Sequence, residues 1–273
     1  AGGAPHRARR RRPGRDTHTH PSGGRRVARA GGAPSMAVVV DLVHAVMAAP
    51  VSKEALILAA LAVGAASLAS FALGVLHSVY ALLLRPGKNL RKMGHWAVVT
   101  GATDGIGKAF CFELARKGLN ILMISRTQSK LDDCAAEVKA KYPSVDVEVL
   151  AVDFSSFDEP ARARVAGALA GKTLAVLINN VGVSYPFCMY QHELSDDDVK
   201  GLIELNVNST TWMTRLALPS MLERRRGVVV NISSTAGVVP SPLLALYSAA
   251  KSYVEMYTRA MDVEYSPKGV RFQ

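Results

Sequence analysis

Tyr247 and Lys251 stand four residues apart, and Ser234 lies thirteen residues before the tyrosine. On a helix, an i, i+4 pair projects from one face, so a phenol and an ammonium would be neighbours. A free tyrosine has a pKa of about 10 and exchanges protons reluctantly near neutrality. An adjacent ammonium stabilises the phenolate and lowers that pKa. A serine hydroxyl ending the preceding strand can hydrogen-bond a carbonyl oxygen and hold it beside the phenol. The three side chains together suit ketone reduction, with a proton reaching the oxygen while a nicotinamide cofactor brings hydride to the carbon. Tyr-x-x-x-Lys alone is common as an exposed helical pair, so the reading depends on the elements that would position it.

The first of these is a turn. Thr100–Gly107 reads TGATDGIG, directly after an apolar run and before a helical pattern. Glycines at a strand–turn–helix junction let the backbone approach a pyrophosphate, and the helix start supplies free N–H groups and a positive dipole end. Gly101, Thr103, Asp104, Gly105, Ile106 and Gly107 are the candidate cofactor residues. About twenty residues on, an acidic side chain would bind the ribose hydroxyls of NAD. Ser125 and Arg126 stand there instead. Arginine pairs bidentately with the extra phosphate of NADP, so NADP(H) is expected, although a solvent-facing arginine at a strand end is the plain alternative. Asp153 could accept from the adenine amino group, and Asn179 and Asn180 could fix strand ends around the nucleotide; each could also cap a loop. Tyr247 and Lys251 are also expected to border the cofactor, with Lys251 touching the nicotinamide ribose.

Short apolar runs carry these residues: WAVVT (96–100), NILMIS (120–125), VDVEVLAVD (145–153), LAVLINN (174–180), GVVVNISS (227–234) and GVRFQ (269–273). Stretches with helical spacing lie between them, as at Ile106, Phe110 and Leu114. Nearly continuous Val/Ile/Leu strands separated by helices predict an α/β fold, a Rossmann-like doubly wound parallel sheet covered on both faces. The domain is expected over 94–273. Its sixth strand starts near Val270, where an edge helix and a further strand would normally follow, so the sheet is expected to be C-terminally truncated.

Residues 55–84 run for thirty positions without a formal charge. Roughly 20 apolar residues cross the hydrocarbon layer, so a transmembrane helix is expected here. Arg85, Lys88, Arg91 and Lys92 make 85–93 a basic linker, while Lys53 and Glu54 cancel on the other flank. The positive-inside rule then places the C-terminal domain in the cytosol. Within the N-terminal segment 36–54, the stretch 37–51 is only fifteen residues and contains Asp41 and His44; it is a weak candidate for a second span and could lie at the interface. Residues 1–35 hold nine arginines and one aspartate, so most of the net charge of +11 sits there. With few apolar residues this leader is expected to be disordered. It is either an Arg-rich targeting peptide or a leader foreign to the protein, with Met36 as the start; the second is preferred. A basic tail without zinc-finger spacing or aromatic–basic interleaving argues against nucleic-acid binding. The three cysteines, Cys111, Cys134 and Cys188, show no metal or redox spacing, and no metal site is expected.

TGATDGIG, Asn179-Asn180-Val181-Gly182, Asn206 in LNVNST, Asn231-Ile232-Ser233-Ser234 and Tyr247-Ser248-Ala249-Ala250-Lys251 closely resemble the short-chain dehydrogenase/reductases. The resemblance implies that Ser234, Tyr247 and Lys251 are catalytic. It also implies that Asn206, otherwise read as a helix-surface amide, kinks its helix and anchors a water relaying protons to the lysine. Val181 departs from the usual Ala and Ala250 from a frequent Ser, and neither removes a functional group. The apolar span, basic linker, GATDGIGKAF and NNVGVSYPFCMYQHEL are similar to the membrane-bound very-long-chain 3-oxoacyl-CoA reductases, with plant or algal versions nearest. That likeness implies an acyl-CoA substrate, the endoplasmic reticulum membrane, and condensing enzyme, dehydratase and enoyl reductase of fatty-acid elongation as neighbours. The apolar loop 238–244 suits an acyl chain or is ordinary loop packing. Two alternatives stay open: an NADP-linked 17β-hydroxysteroid dehydrogenase, and an inactive membrane-tethered nucleotide-binding scaffold.

Overall fold

A computed structural model describes residues 52–84 and 88–273, with six helical positions between Met36 and Ala45. The leader 1–35, most of the 36–54 segment and residues 85–87 of the linker lie outside the described residues. The chain divides into two units at Arg85/Pro86.

In the first unit, helix α1 (Lys53–Val79) continues through a π turn (Tyr80–Leu84). Ser52 caps it by accepting from the Ala55 N–H at 3.2 Å. The helix is 32 residues long with a mean hydropathy of 2.3 over its most apolar 18 residues, long and apolar enough to cross a membrane, and at 1.5 Å per residue it extends about 48 Å. Ser67 and Ser78 donate to the carbonyls of Val63 and Gly74 one turn back. Their hydroxyls are thus satisfied within the helix, as an apolar medium demands.

In the second unit, the apolar runs form strands β1 (Trp96–Thr100), β2 (Asn120–Ser125), β3 (Val147–Ala151), β4 (Leu174–Asn179), β5 (Gly227–Asn231) and β6 (Val270–Phe272). All pair in parallel, in the order β3-β2-β1-β4-β5-β6. The order reverses between β1 and β4, which opens a crevice beyond their carboxyl ends. Alternate side chains feed two cores. Ala97, Val99, Ile121, Met123 and Ile178 pack against α2 (Gly105–Arg116) and α3 (Gln128–Lys141). Val98, Leu122, Leu177 and Val229 pack against α4 (Glu159–Leu169) and α6 (Ser209–Glu223). Helix α5 (Asp196–Ile203) runs into α6 through a π turn, Glu204–Asn208, and α7 (Ala245–Tyr265) leads to β6.

The structure refines three expectations. The 227–234 run ends as a strand at Asn231, and Ser234 instead caps a 3-10 turn, Thr235–Gly237. The 145–153 run pairs over five residues, because Asp153 turns the chain into a second 3-10 turn. The buried stripe of α2 is Gly107, Cys111, Leu114 and Ala115, one position round from Ile106 and Phe110. Ile106 is 57% exposed at the mouth of the crevice.

Candidate active site

The glycine turn is an open cradle. Gly101 and Gly105 adopt φ +62° and +51°, a left-handed region that favours glycine, and a Cβ on Gly105 would meet nothing within 4 Å. Asp104 caps α2, its carboxylate accepting from the Gly105 N–H at 2.7 Å. Gly107 is the opposite case: a Cβ there would lie 2.1 Å from the Gly101 carbonyl and 2.6 Å from the Asn180 amide nitrogen. The loop is closed from β4. Asn180 Nδ2 donates to the carbonyls of Thr100 and Gly101 at 3.2 and 3.1 Å, and the backbone N–H groups of Asn180 and Val181 donate to Thr100 Oγ1. An exposed helix start above left-handed glycines fits a pyrophosphate.

At the end of β2, Thr103 and Ser125 share a hydroxyl hydrogen bond of 3.1 Å, and Arg126 is exposed beside them. Burial pushes the Asp153 carboxyl up, but two hydrogen bonds from Ser155 and the charge of Arg126 outweigh this and hold it below its ordinary range. The strand ends at β2 and β3 thus carry a cation and an anion together, open to solvent.

Around Lys251 the chain beyond β5 is sewn to α7. Lys251 Nζ donates to the Ile232 carbonyl at 2.9 Å, Ser233 Oγ to the Lys251 carbonyl at 3.1 Å, and Ser252 Oγ to the Gly237 carbonyl at 2.8 Å; Ser248 Oγ donates to the Ala236 carbonyl. These ties hold Ser234, whose Oγ accepts from Ala236 N–H, against the helix bearing Tyr247 and Lys251. Lys251 is only 5% exposed, its ammonium 5.8 Å from the centre of the Tyr247 ring. Burial pushes its pKa down from the ordinary 10.5.

Asn206 sits inside the π turn, fully buried, with Nδ2 donating to the carbonyls of Val183 and Leu202 at 2.8 and 3.0 Å. Side chains stitch this stretch further: Ser209, Thr210 and Thr211 donate back to the carbonyls of Leu205, Asn206 and Val207. A surface amide is therefore excluded for Asn206. Its Oδ1 has no partner among the described residues. A Cβ on Gly182 would lie 2.7 Å from that oxygen and 3.1 Å from Lys251 Nζ, so only glycine lets the two polar atoms face one gap.

Residues 180–182 thus join the glycine turn to the catalytic group. Ser234, Tyr247, Lys251 and Asn206 gather at one end of the sheet with Gly101, Thr103, Asp104, Gly105, Ile106, Gly107 and Asn180. Asn179, expected to fix a strand end around the nucleotide, stands apart from the glycine turn. It is 3% exposed and donates to Thr214 Oγ1 at 2.9 Å and Asn231 Oδ1 at 2.8 Å, tying β4 to β5 and α6. Strand alternation turns its side chain to the face opposite the glycine turn. The residues missed at first are Thr100, Gly182 and the Ile232 carbonyl. Thr100 and Gly182 stand inside motifs already singled out; a backbone carbonyl leaves no mark in a sequence.

The fold and site are those of a nicotinamide-type oxidoreductase, and residues 95–273 match the family model for short chain dehydrogenase; the chain belongs to that family. Within it, the chain is 45% identical over 183 residues to a very-long-chain 3-oxoacyl-CoA reductase of Danio rerio, covering 66% of this chain and 58% of that protein. A very-long-chain 3-oxoacyl-CoA reductase-like protein of Arabidopsis thaliana is 43% identical over 193 residues, 70% of this chain and 61% of the relative. The chain therefore spans about three fifths of the length of these relatives. Among solved structures, a short-chain dehydrogenase from Sphingobium yanoikuyae in complex with NADPH superposes with a TM-score of 0.60 at 28% identity, over 65% of this chain and 68% of that one.

Proposed function

We propose that this protein reduces 3-oxoacyl-CoA to 3-hydroxyacyl-CoA with NADPH, in very-long-chain fatty-acid elongation. The observation that carries the reading is the meeting of Ser234, Tyr247 and buried Lys251 beside a glycine cradle, in a chain 45% identical to a reductase of that name. NADPH, when bound, supplies the hydride. Tyr247 gives its phenolic proton to the ketone oxygen as the carbon–oxygen double bond becomes a hydroxyl. Lys251 stabilises the negative charge left on the phenol, and Ser234 hydrogen-bonds the same oxygen and orients it. Asn206 Oδ1 accepts from a water that returns a proton toward Lys251. Gly101, Gly105 and the start of α2 would hold the pyrophosphate, and Asp153 the adenine. Support for NADPH over NADH comes from Arg126 and from the NADPH-bound structural neighbour.

The apolar helix Lys53–Leu84 supports a single anchor in the endoplasmic reticulum membrane, with the basic residues after it directing the catalytic domain to the cytosol. Condensing enzyme, dehydratase and enoyl reductase would be its partners there. The loop Val238–Leu244 exposes Val238 and Val239 near Ser234 and suits an acyl chain.

Assaying 3-oxoacyl-CoA and a ketosteroid side by side with NADPH tests the substrate: preference for the acyl-CoA is expected, and preference for the steroid refutes it. Replacing Arg126 by Asp removes a charge-assisted contact worth about 1.5–3 kcal/mol. The NADPH-over-NADH ratio in kcat/KM should then fall by about 10- to 100-fold. An unmoved ratio would remove Arg126 from phosphate recognition.

A further inference from the structure

We infer that Tyr185 is a positioning residue for the proton donor, its hydroxyl capping the catalytic helix one residue before Tyr247. The inference rests on the proposed role of Tyr247. The first turn of a helix carries N–H groups with no partner inside it, and α7 has none of the usual remedies. Leu243-Leu244 precede it, and Leu244, at the cap position, makes no side-chain cap bond. The cap comes instead from a residue sixty-one positions earlier: the Leu246 N–H donates to Tyr185 Oη at 3.0 Å. The Tyr185 hydroxyl passes its own hydrogen to Gln191 Oε1 at 3.3 Å, so the two bonds run in one direction and polarise each other.

Two further contacts fix the same junction. Met189 N–H donates to the Leu243 carbonyl at 3.1 Å, and Leu243 is held at φ +63°, a conformation leucine rarely adopts. Tyr185 itself is buried and forms a small core with Leu194 and Leu202, against which Met189, Leu244, Leu246 and Tyr247 pack. Lys251 lies one turn deeper and is separately tied to Ile232. Loosening the first turn would therefore move the phenol and leave the ammonium in place. Misplacement on the scale of an ångström is costly to proton transfer and neutral to nucleotide binding.

Tyr185→Phe keeps the ring and removes the bond. We expect kcat with 3-oxoacyl-CoA to fall about tenfold, Kd for NADPH to change by less than about twofold, and Leu246 amide exchange to accelerate about tenfold or more. In a Tyr247→Phe background, where no phenol remains to be positioned, the same change should not lower residual turnover further. An unchanged kcat, or an equal loss in both backgrounds, overturns the positioning role; unchanged Leu246 exchange overturns the cap. Exchange and NADPH binding need no acyl substrate. A wild-type protein inert toward 3-oxoacyl-CoA would therefore count against the proposed reaction, while the exchange result still decides the cap.

Discussion

Tyr247→Phe should lower kcat for ketone reduction by about 10³-fold or more while leaving NADPH affinity within about twofold of wild type, the upper range for loss of a positioned general acid. The substitution keeps the ring in its contacts with Leu194, Leu202 and Tyr185, so packing changes little. Only the hydroxyl is lost, the one group of this side chain that can donate a proton. The cofactor cradle is built from Gly101, Gly105, Gly107 and Asn180, none of which touches the phenol. Single-turnover reduction with NADPH, together with fluorescence titration of the nucleotide, separates the two quantities. Retained turnover would show that the proton comes from another group.

The second large effect is expected at Gly107. A methyl group there would sit 2.1 Å from the Gly101 carbonyl, backbone that cannot swing aside, and 2.6 Å from the Asn180 amide nitrogen, which is itself tied to the carbonyls of Thr100 and Gly101. Helix α2 must shift away from the turn, lifting its N–H groups from where a pyrophosphate would rest. Overpacking of this kind costs about 1–3 kcal/mol, and at its upper end Kd for NADPH rises on the order of a hundredfold. Gly105→Ala is the informative contrast. Its position has φ +51° but open space around a Cβ, so only backbone strain of about 1–2 kcal/mol applies. Isothermal titration of both variants with NADPH gives the ranking; equal losses, or a larger one at Gly105, would mean that steric closure does not shape the cradle.

Local pattern carried far. The strands, their parallel pairing and the glycine turn follow from apolar runs and residue types a few positions apart, and all six strands lie within the runs read from sequence with ends shifted by no more than a few residues. Tyr247 and Lys251 are neighbours because 3.6 residues make a helical turn, which needs no other part of the chain. The buried face of α2 was displaced by one position, since Ile106 belongs to the crevice and not to the core.

What the amino-acid order alone determined is thus the fold class, the nucleotide turn and the proton-donor pair, all of them set by near neighbours in the chain. The tertiary structure decided which asparagine serves the crevice. Asn180 closes the glycine turn, and the Asn179 amide nitrogen ties β4 to Thr214 and Asn231. It also buried Asn206 in a π turn and brought Tyr185 to the start of α7. These outcomes depend on hydrogen-bond partners separated by some twenty to eighty residues. Such partners meet only after the sheet has paired and the helices have packed, and no periodicity along the chain records them.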